Sequence, residues 1–173
     1  MSRVRVTAAC PAALLLGCHS TFTSAAPKGF VELDQTERYD FRATTADGLV
    51  IAARQVDHDP EASLDFWARA VENAMRTRGG YALLGSRDLK AAGGLRVKQL
   101  RFGHDEANRP HLYYVTLLVT HGAIYVLEAG GDKAQLEQHA AEIDAWISHF
   151  RAERCAPFPF AFACAGTSAS AQN

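Results

Sequence analysis

The sequence predicts an α+β domain built on an antiparallel sheet of about six strands with helices covering its faces. Three observations carry this. Period-two and continuous apolar runs alternate with Gly-rich breaks, two segments show apolar residues at three- and four-residue spacing, and the connections between successive runs are short. Short connections favour antiparallel neighbours, so the order reads hairpin, helix, four-strand meander, helix.

The elements follow in chain order. Glu37 to Thr45 and Gly48 to Asp57 are extended stretches joined by Ala46-Asp47-Gly48, whose Asp-Gly pair suits a hairpin turn, with Leu49 and Ile51 on one face. A short strand near Phe30 to Leu33 would precede them. Asp59-Pro60-Glu61 reads as a helix start: a capping acid, a proline where no amide is needed, and a second acid at the positive helix end. Leu64, Trp67, Val71, Ala74 and Met75 then form the core-facing stripe, and Gly79-Gly80 ends the helix.

Four strands are expected at Tyr81 to Leu89, Leu95 to Phe102, His111 to Thr120 and Ala123 to Ala129. Ala92-Gly93-Gly94 and His121-Gly122 give tight turns, and Gly103 to Pro110 reads as a longer polar loop. Leu112 to Val119 is apolar at nearly every position, the pattern of a strand covered on both faces, and is placed at the middle of the sheet. Asp132 opens a last helix with Leu136, Ala140, Ile143, Ile147 and Phe150 along one side.

Chain length and composition fit one such domain. Of 173 residues 48% are hydrophobic, and a chain of this size buries about 68–70% of its unfolded surface, enough for a core without a metal or disulfide framework. The formal charge of -1 supplies no basic face for phosphates, so nucleic acid is excluded as an expected partner.

The N-terminus has a different character. Arg3 and Arg5 precede a short apolar run from Ala8 to Leu16, the anatomy of an export signal and far shorter than the ~20 apolar residues of a membrane span. Leu15-Leu16-Gly17-Cys18 resembles the lipobox of bacterial lipoproteins: an aliphatic residue, a tolerant position, a small residue, then the cysteine that carries the lipid. That resemblance implies cleavage after residue 17, acylation of Cys18 with palmitate among its chains, and attachment to the periplasmic side of the envelope. By the sorting rule that goes with this resemblance, His19 rather than an acidic residue after the cysteine implies the outer membrane over the inner. The alternative is an ordinary secretory cut near Ala25 or Ala26. Residues 18–28, rich in Ser, Thr, Ala and Pro, read as a flexible tether in which Phe22 has no explanation, and 29–153 as the domain.

Loss of Cys10 with the leader and modification of Cys18 leaves Cys155 and Cys164, a possible disulfide in an oxidising compartment. Both lie in the tail 154–173, where Phe158, Phe160 and Phe162 alternate; it reads as a strap packed on the domain, an exposed edge strand or a partner-binding segment being the alternatives, with a disordered end from Gly166.

Ser63-Leu64-Asp65-Phe66-Trp67, Gly79-Gly80-Tyr81 and Ile124-Tyr125-Val126-Leu127-Glu128-Ala129-Gly130-Gly131, in this element order, resemble the PsbP-like fold. That group includes lumenal photosystem proteins, a Ran-binding import factor and many small bacterial lipoproteins. The resemblance spans about Phe30 to Phe150, carries no catalytic motif, and implies a binding or assembly scaffold for an unidentified protein or small ligand.

No catalytic, cofactor or metal-binding constellation is assigned. Asp57-His58-Asp59 and His104-Asp105-Glu106 with His111 gather metal-ligating side chains without a recognised spacing, and His139 and His149 read as surface or boundary residues. Gly79-Gly80, Gly93-Gly94 and Gly130-Gly131 lack a Walker lysine or dinucleotide fingerprint and read as punctuation. Ser86 lacks a nucleophile elbow. Trp67 and Trp146 read as core rather than pocket lining. The expected role is therefore non-enzymatic, with two alternatives: a metal-binding protein or enzyme using the His104–His111 loop, or a carrier of a hydrophobic ligand.

Overall fold

A computed structural model describes residues 22–106 and 109–153. Cys18, Cys155, Cys164, the leader and the tail 154–173 lie outside them. Among the described residues the main sheet has seven strands in the order β2-β3-β4-β8-β7-β6-β5, all neighbours antiparallel. They are β2 (Val31–Glu32), β3 (Phe41–Thr44), β4 (Val50–Asp57), β5 (Ala82–Lys90), β6 (Arg96–Glu106), β7 (Arg109–Val119) and β8 (Ala123–Asp132). A separate two-stranded ribbon joins β1 (Phe22–Thr23) to β9 (Arg151–Ala152). The hairpin, the meander and the α+β class all stand as the sequence predicts.

Helix α1 (Leu64–Gly79) begins later than expected. Its cap is Ser63, whose hydroxyl accepts the Phe66 amide at 3.1 Å, and it ends in left-handed Gly80. Residues 58–62 are kept out of the helix by His58, whose Nε2 accepts the Ala62 amide at 2.8 Å while Nδ1 lies 2.5 Å from the Thr120 carbonyl oxygen. The histidine of the Asp57-His58-Asp59 cluster is thus a structural clamp. The last helix is two pieces, α2 (Lys133–Gln138) and α3 (Ala140–His149), hinged at His139; Leu136, Ile143, Ile147 and Phe150 of the expected stripe are buried.

Three further expectations change. The centre of the sheet is β8, with β7 beside it, because the β4 strand of the hairpin pairs with β8. The polar loop Gly103 to Pro110 is instead the paired ends of β6 and β7, with His104 opposite His111. Backbone pairing there overrides the polar side chains, which project from a strand as readily as from a loop.

The flexible tether also fails from Phe22 onward. Phe22 is buried, with ring centroids 5.1 Å from Phe150 and 6.0 Å from Tyr125, and Trp146 Nε1 donates to Ser24 Oγ at 2.8 Å. An aromatic ring in a small-residue segment is therefore a core side chain contributed by the entering chain.

The two sheet faces are covered unequally. One meets α2, α3, the entering segment and β9, enclosing Phe22, Phe41, Leu127, Trp146 and Phe150. The other carries α1 over β5, β6 and β7, around Leu100, Phe102, Val115 and Leu117.

Candidate functional site

Because α1 sits over one half of its face, the half made by β3, β4 and β8 is left as a trough of about 310 Å³. Strand alternation decides what points into it. Along β4, Ile51 and Ala53 face the closed side, so Val50, Ala52 and Arg54 face the open one; along β8, Leu127 and Ala129 face inward and Glu128 and Gly130 open outward. Arg42, Tyr39, Tyr81 and Tyr113 complete the walls.

Glu128 is the central feature. It is only 7% exposed, pairs in register with Ala52 and Val115, and takes Arg54 Nη2 on Oε1 at 3.3 Å. The hydroxyls of Tyr39 and Tyr113 face the same carboxylate, and both phenols are pushed above their usual range, Tyr39 by burial and then by hydrogen bonding to Glu128, Tyr113 by burial and then by the Glu128 charge. Both therefore remain neutral hydroxyls at physiological pH, able to donate as well as accept.

Gly130 makes the wall possible. A Cβ there would stand 2.8 Å from Tyr113 Cδ2, so any larger residue displaces the ring from its place over β8. Gly131 similarly gives room to Leu49 on the opposite face, at 3.1 Å from its Cδ1. This pair lies inside a strand and is not the punctuation the sequence suggests.

The histidines expected to form an alternative site are partly assembled. His111 Nε2 lies 2.9 Å from Asp132 Oδ1, and His104 stacks obliquely on Tyr81 with centroids 5.1 Å apart. Among the described residues, no three His, Cys, Asp or Glu side chains converge as a metal site would require. His139 sits at the α2–α3 junction against Phe30, and His149 is exposed on α3. Trp146 is buried, whereas Trp67 is half-buried against Phe66 and His58.

The closed face holds a second polar cluster of different character. Arg87 on β5 pairs with Asp144 on α3, with Nη1 to Oδ2 at 3.0 Å. Arg87 Nε and Arg101 Nε both donate to Gln99 Oε1, at 2.8 and 3.0 Å, and Gln99 Nε2 donates to Thr116 Oγ1 at 3.2 Å. Arg101 also lies over the Tyr114 ring at 4.8 Å. These groups satisfy one another and bolt α3 to the sheet.

Glu128 was legible as an anomaly: a charge within an otherwise apolar β8 run has to be paired. The trough itself had no sequence signal, because Arg42, Arg54 and Tyr113 converge from separate strands and Tyr39 from the segment before β3.

This architecture is the PsbP-like α+β fold. LpqN of Mycobacterium tuberculosis, described as involved in cell envelope biogenesis, superposes with a TM-score of 0.58 at 12% identity over 75% of this chain and 81% of its own. Cyanobacterial PsbP (CyanoP) from Synechocystis sp. PCC 6803 does so with a TM-score of 0.51 at 12% identity, over 84% of this chain and 98% of its own. At that identity the likeness is one of fold. No family model and no curated protein matches the sequence.

Proposed function

We propose that this chain is a non-enzymatic binding scaffold of the bacterial envelope, anchored on the periplasmic side through acylated Cys18, and that it presents the Glu128 trough to a protein or small ligand. The trough carries this reading: a concave, half-open sheet face on which buried Glu128, paired with half-buried Arg54, is ringed by neutral tyrosine hydroxyls, with apolar area and a few convergent polar groups as binding sites have. The leader anatomy and the lipobox resemblance support the address, with His19 favouring the outer membrane. LpqN's description supports an envelope role by analogy of fold alone.

A photo-crosslinking residue placed at Tyr39, in cells expressing the full chain, tests the trough. A discrete adduct is expected at Tyr39 and not at Ser148 on α3, and Arg42→Glu should reduce it at least tenfold. Equal adducts at the two positions would remove the trough from consideration. The anchor is tested by detergent phase partitioning and palmitate labelling: if Cys18→Ser stays as membrane-bound as the parent, the lipobox reading is wrong.

A further inference from the structure

One row of the sheet crosses the floor of the trough. Arg42 on β3, Ala52 on β4 and Glu128 on β8 pair in register, so all three side chains stand on the open face. At the spacing of neighbouring strands the Arg42 and Glu128 Cα atoms are about 10 Å apart, and the side chain between them ends at its Cβ. The next row adds only Val50 and Gly130. The result is a gap one strand wide, with a guanidinium on one bank and a carboxylate on the other.

Both banks have unused bonding capacity. Glu128 Oε1 takes Arg54, but Oε2 is buried and has no hydrogen-bond partner among the described residues, and Arg54 Nε is buried and unpartnered in the same way. A buried acceptor left open costs free energy that a bound donor recovers. Arg42 has no acidic partner among the described residues. Arg42 and Arg54 against Glu128 leave one positive charge over, since His111 is matched by Asp132.

These groups define what an occupant must carry: one negative charge for Arg42, a donor for Glu128 Oε2 a few bonds away, and little bulk between. A phosphodiester brings the charge without the donor. An ammonium brings the donor and meets the Arg54 charge. A carboxylate beside an amide N–H brings both. The volume of about 310 Å³ is at the small end of ligand pockets and suits a terminal group rather than a folded surface.

We infer that the trough captures a terminal carboxylate, with its oxygens on Arg42 and the N–H of the adjoining amide on Glu128 Oε2, as presented by the C-terminus of a polypeptide or by a free N-acylated amino acid. This rests on the trough reading above and narrows it to one chemistry. A guanidinium takes a carboxylate through two parallel hydrogen bonds, and a donor to an ionised carboxylate belongs to the same stronger, charge-assisted class. The neutral phenols of Tyr39 and Tyr113 flank the gap, able to donate to the ligand carboxylate or accept from its chain. The Tyr113 ring, held over Gly130, gives the terminal side chain a flat wall beside Val50.

The test is a nuclear magnetic resonance titration of the detergent-solubilised full chain, followed on labelled tyrosine rings, with N-acetyl-alanyl-alanine as probe. Saturable binding is expected. Three further probes each lack one feature: the C-terminal amide has no charge, the form N-methylated at the last amide has no donor, and dimethyl phosphate has charge without donor. Each is expected to bind at least tenfold more weakly. Arg42→Leu should weaken the acid at least tenfold and leave the amide unchanged, at an unchanged melting temperature; if that variant unfolds, the probe comparison on the parent decides alone. Acid and amide binding equally, an N-methylated probe as tight as the parent probe, or no binding of N-acetyl-alanyl-alanine overturns the inference. Any of these with the Tyr39 adduct still formed leaves the trough as a binding site for another chemistry, so the two failures are distinguishable. The mass of that adduct separates the sources, a polypeptide increment for a C-terminus and a small-molecule increment for a free acyl amino acid.

Discussion

The two faces of the sheet bury polar side chains for different ends. On the closed face Arg87, Asp144, Gln99, Arg101 and Thr116 form a chain of mutual hydrogen bonds spanning β5, β6, β7 and α3. On the open face Glu128 has Arg54 and two facing phenols, and among the described residues no helix packs above them. A satisfied network locks an element in place, whereas a buried ion pair under an open surface adds little stability that an apolar pair would not also supply. The difference separates groups kept for architecture from groups available to a partner.

Substitutions on the closed face should cost most. Phe150→Ala opens a cavity against Phe22 and Tyr125 and is expected to destabilise by about 3–5 kcal/mol in urea unfolding, enough to threaten a domain of ordinary stability. Asp144→Ala strands Arg87 and should cost about 1–3 kcal/mol by the same measurement. On the open face, replacing the pair together as Arg54→Met/Glu128→Leu should leave stability within about 1 kcal/mol of the parent, or raise it, while abolishing adduct formation at Tyr39. A loss as large as that of Asp144→Ala would make the two clusters equivalent and erase the comparison.

How much of this could be read in advance follows from where each signal resides. The hairpin, the meander and most of both helical stripes are local patterns, and they survived; on α1, Leu64, Trp67, Val71 and Met75 pack on the sheet as expected, but Ala74 is exposed and Ala68 is the residue buried instead. Ser63 displaced Asp59 as the helix cap because His58 bonds Ala62 and Thr120, a contact 62 residues away in sequence. The central position of β8 depends on pairing with β4, which no periodicity encodes. The trough was the least legible part, since its hairpin and meander residues are 27 or more positions apart (Arg54 to Tyr81 being the shortest step); only Glu128, misplaced in an apolar run, pointed to it.

Titration separates the faces less strongly. Tyr113 ionises above its usual 10.0, so the stabilisation of its neutral form is complete below that pH and is lost as pH rises toward the higher folded value. Tyr113→Phe should therefore flatten the alkaline fall in melting temperature and remove the last tyrosine to titrate by ultraviolet absorbance. The smallest effect belongs to the exposed Asp65–Lys98 pair between α1 and β6. Hydrogen bonding to each other lowers Asp65 and raises Lys98, so the contribution disappears as pH falls below about 4 or climbs past about 10. Lys98→Met should reduce the acid-side slope slightly, and added salt should mask even that.

The rims of the sheet bear on how any partner can approach. β5, one outer strand, has a register shift between Leu83 and Gly85 and carries Arg87, Asp88 and Lys90 along the rest of its length; β2, the other, is two residues long. A kinked, charged border and a very short one give an incoming strand little to zip onto, which guards the molecule against open-ended self-association. For the binding role proposed above, shape and side chains on the surface of the sheet would then matter more than added strands, because these borders favour little backbone pairing.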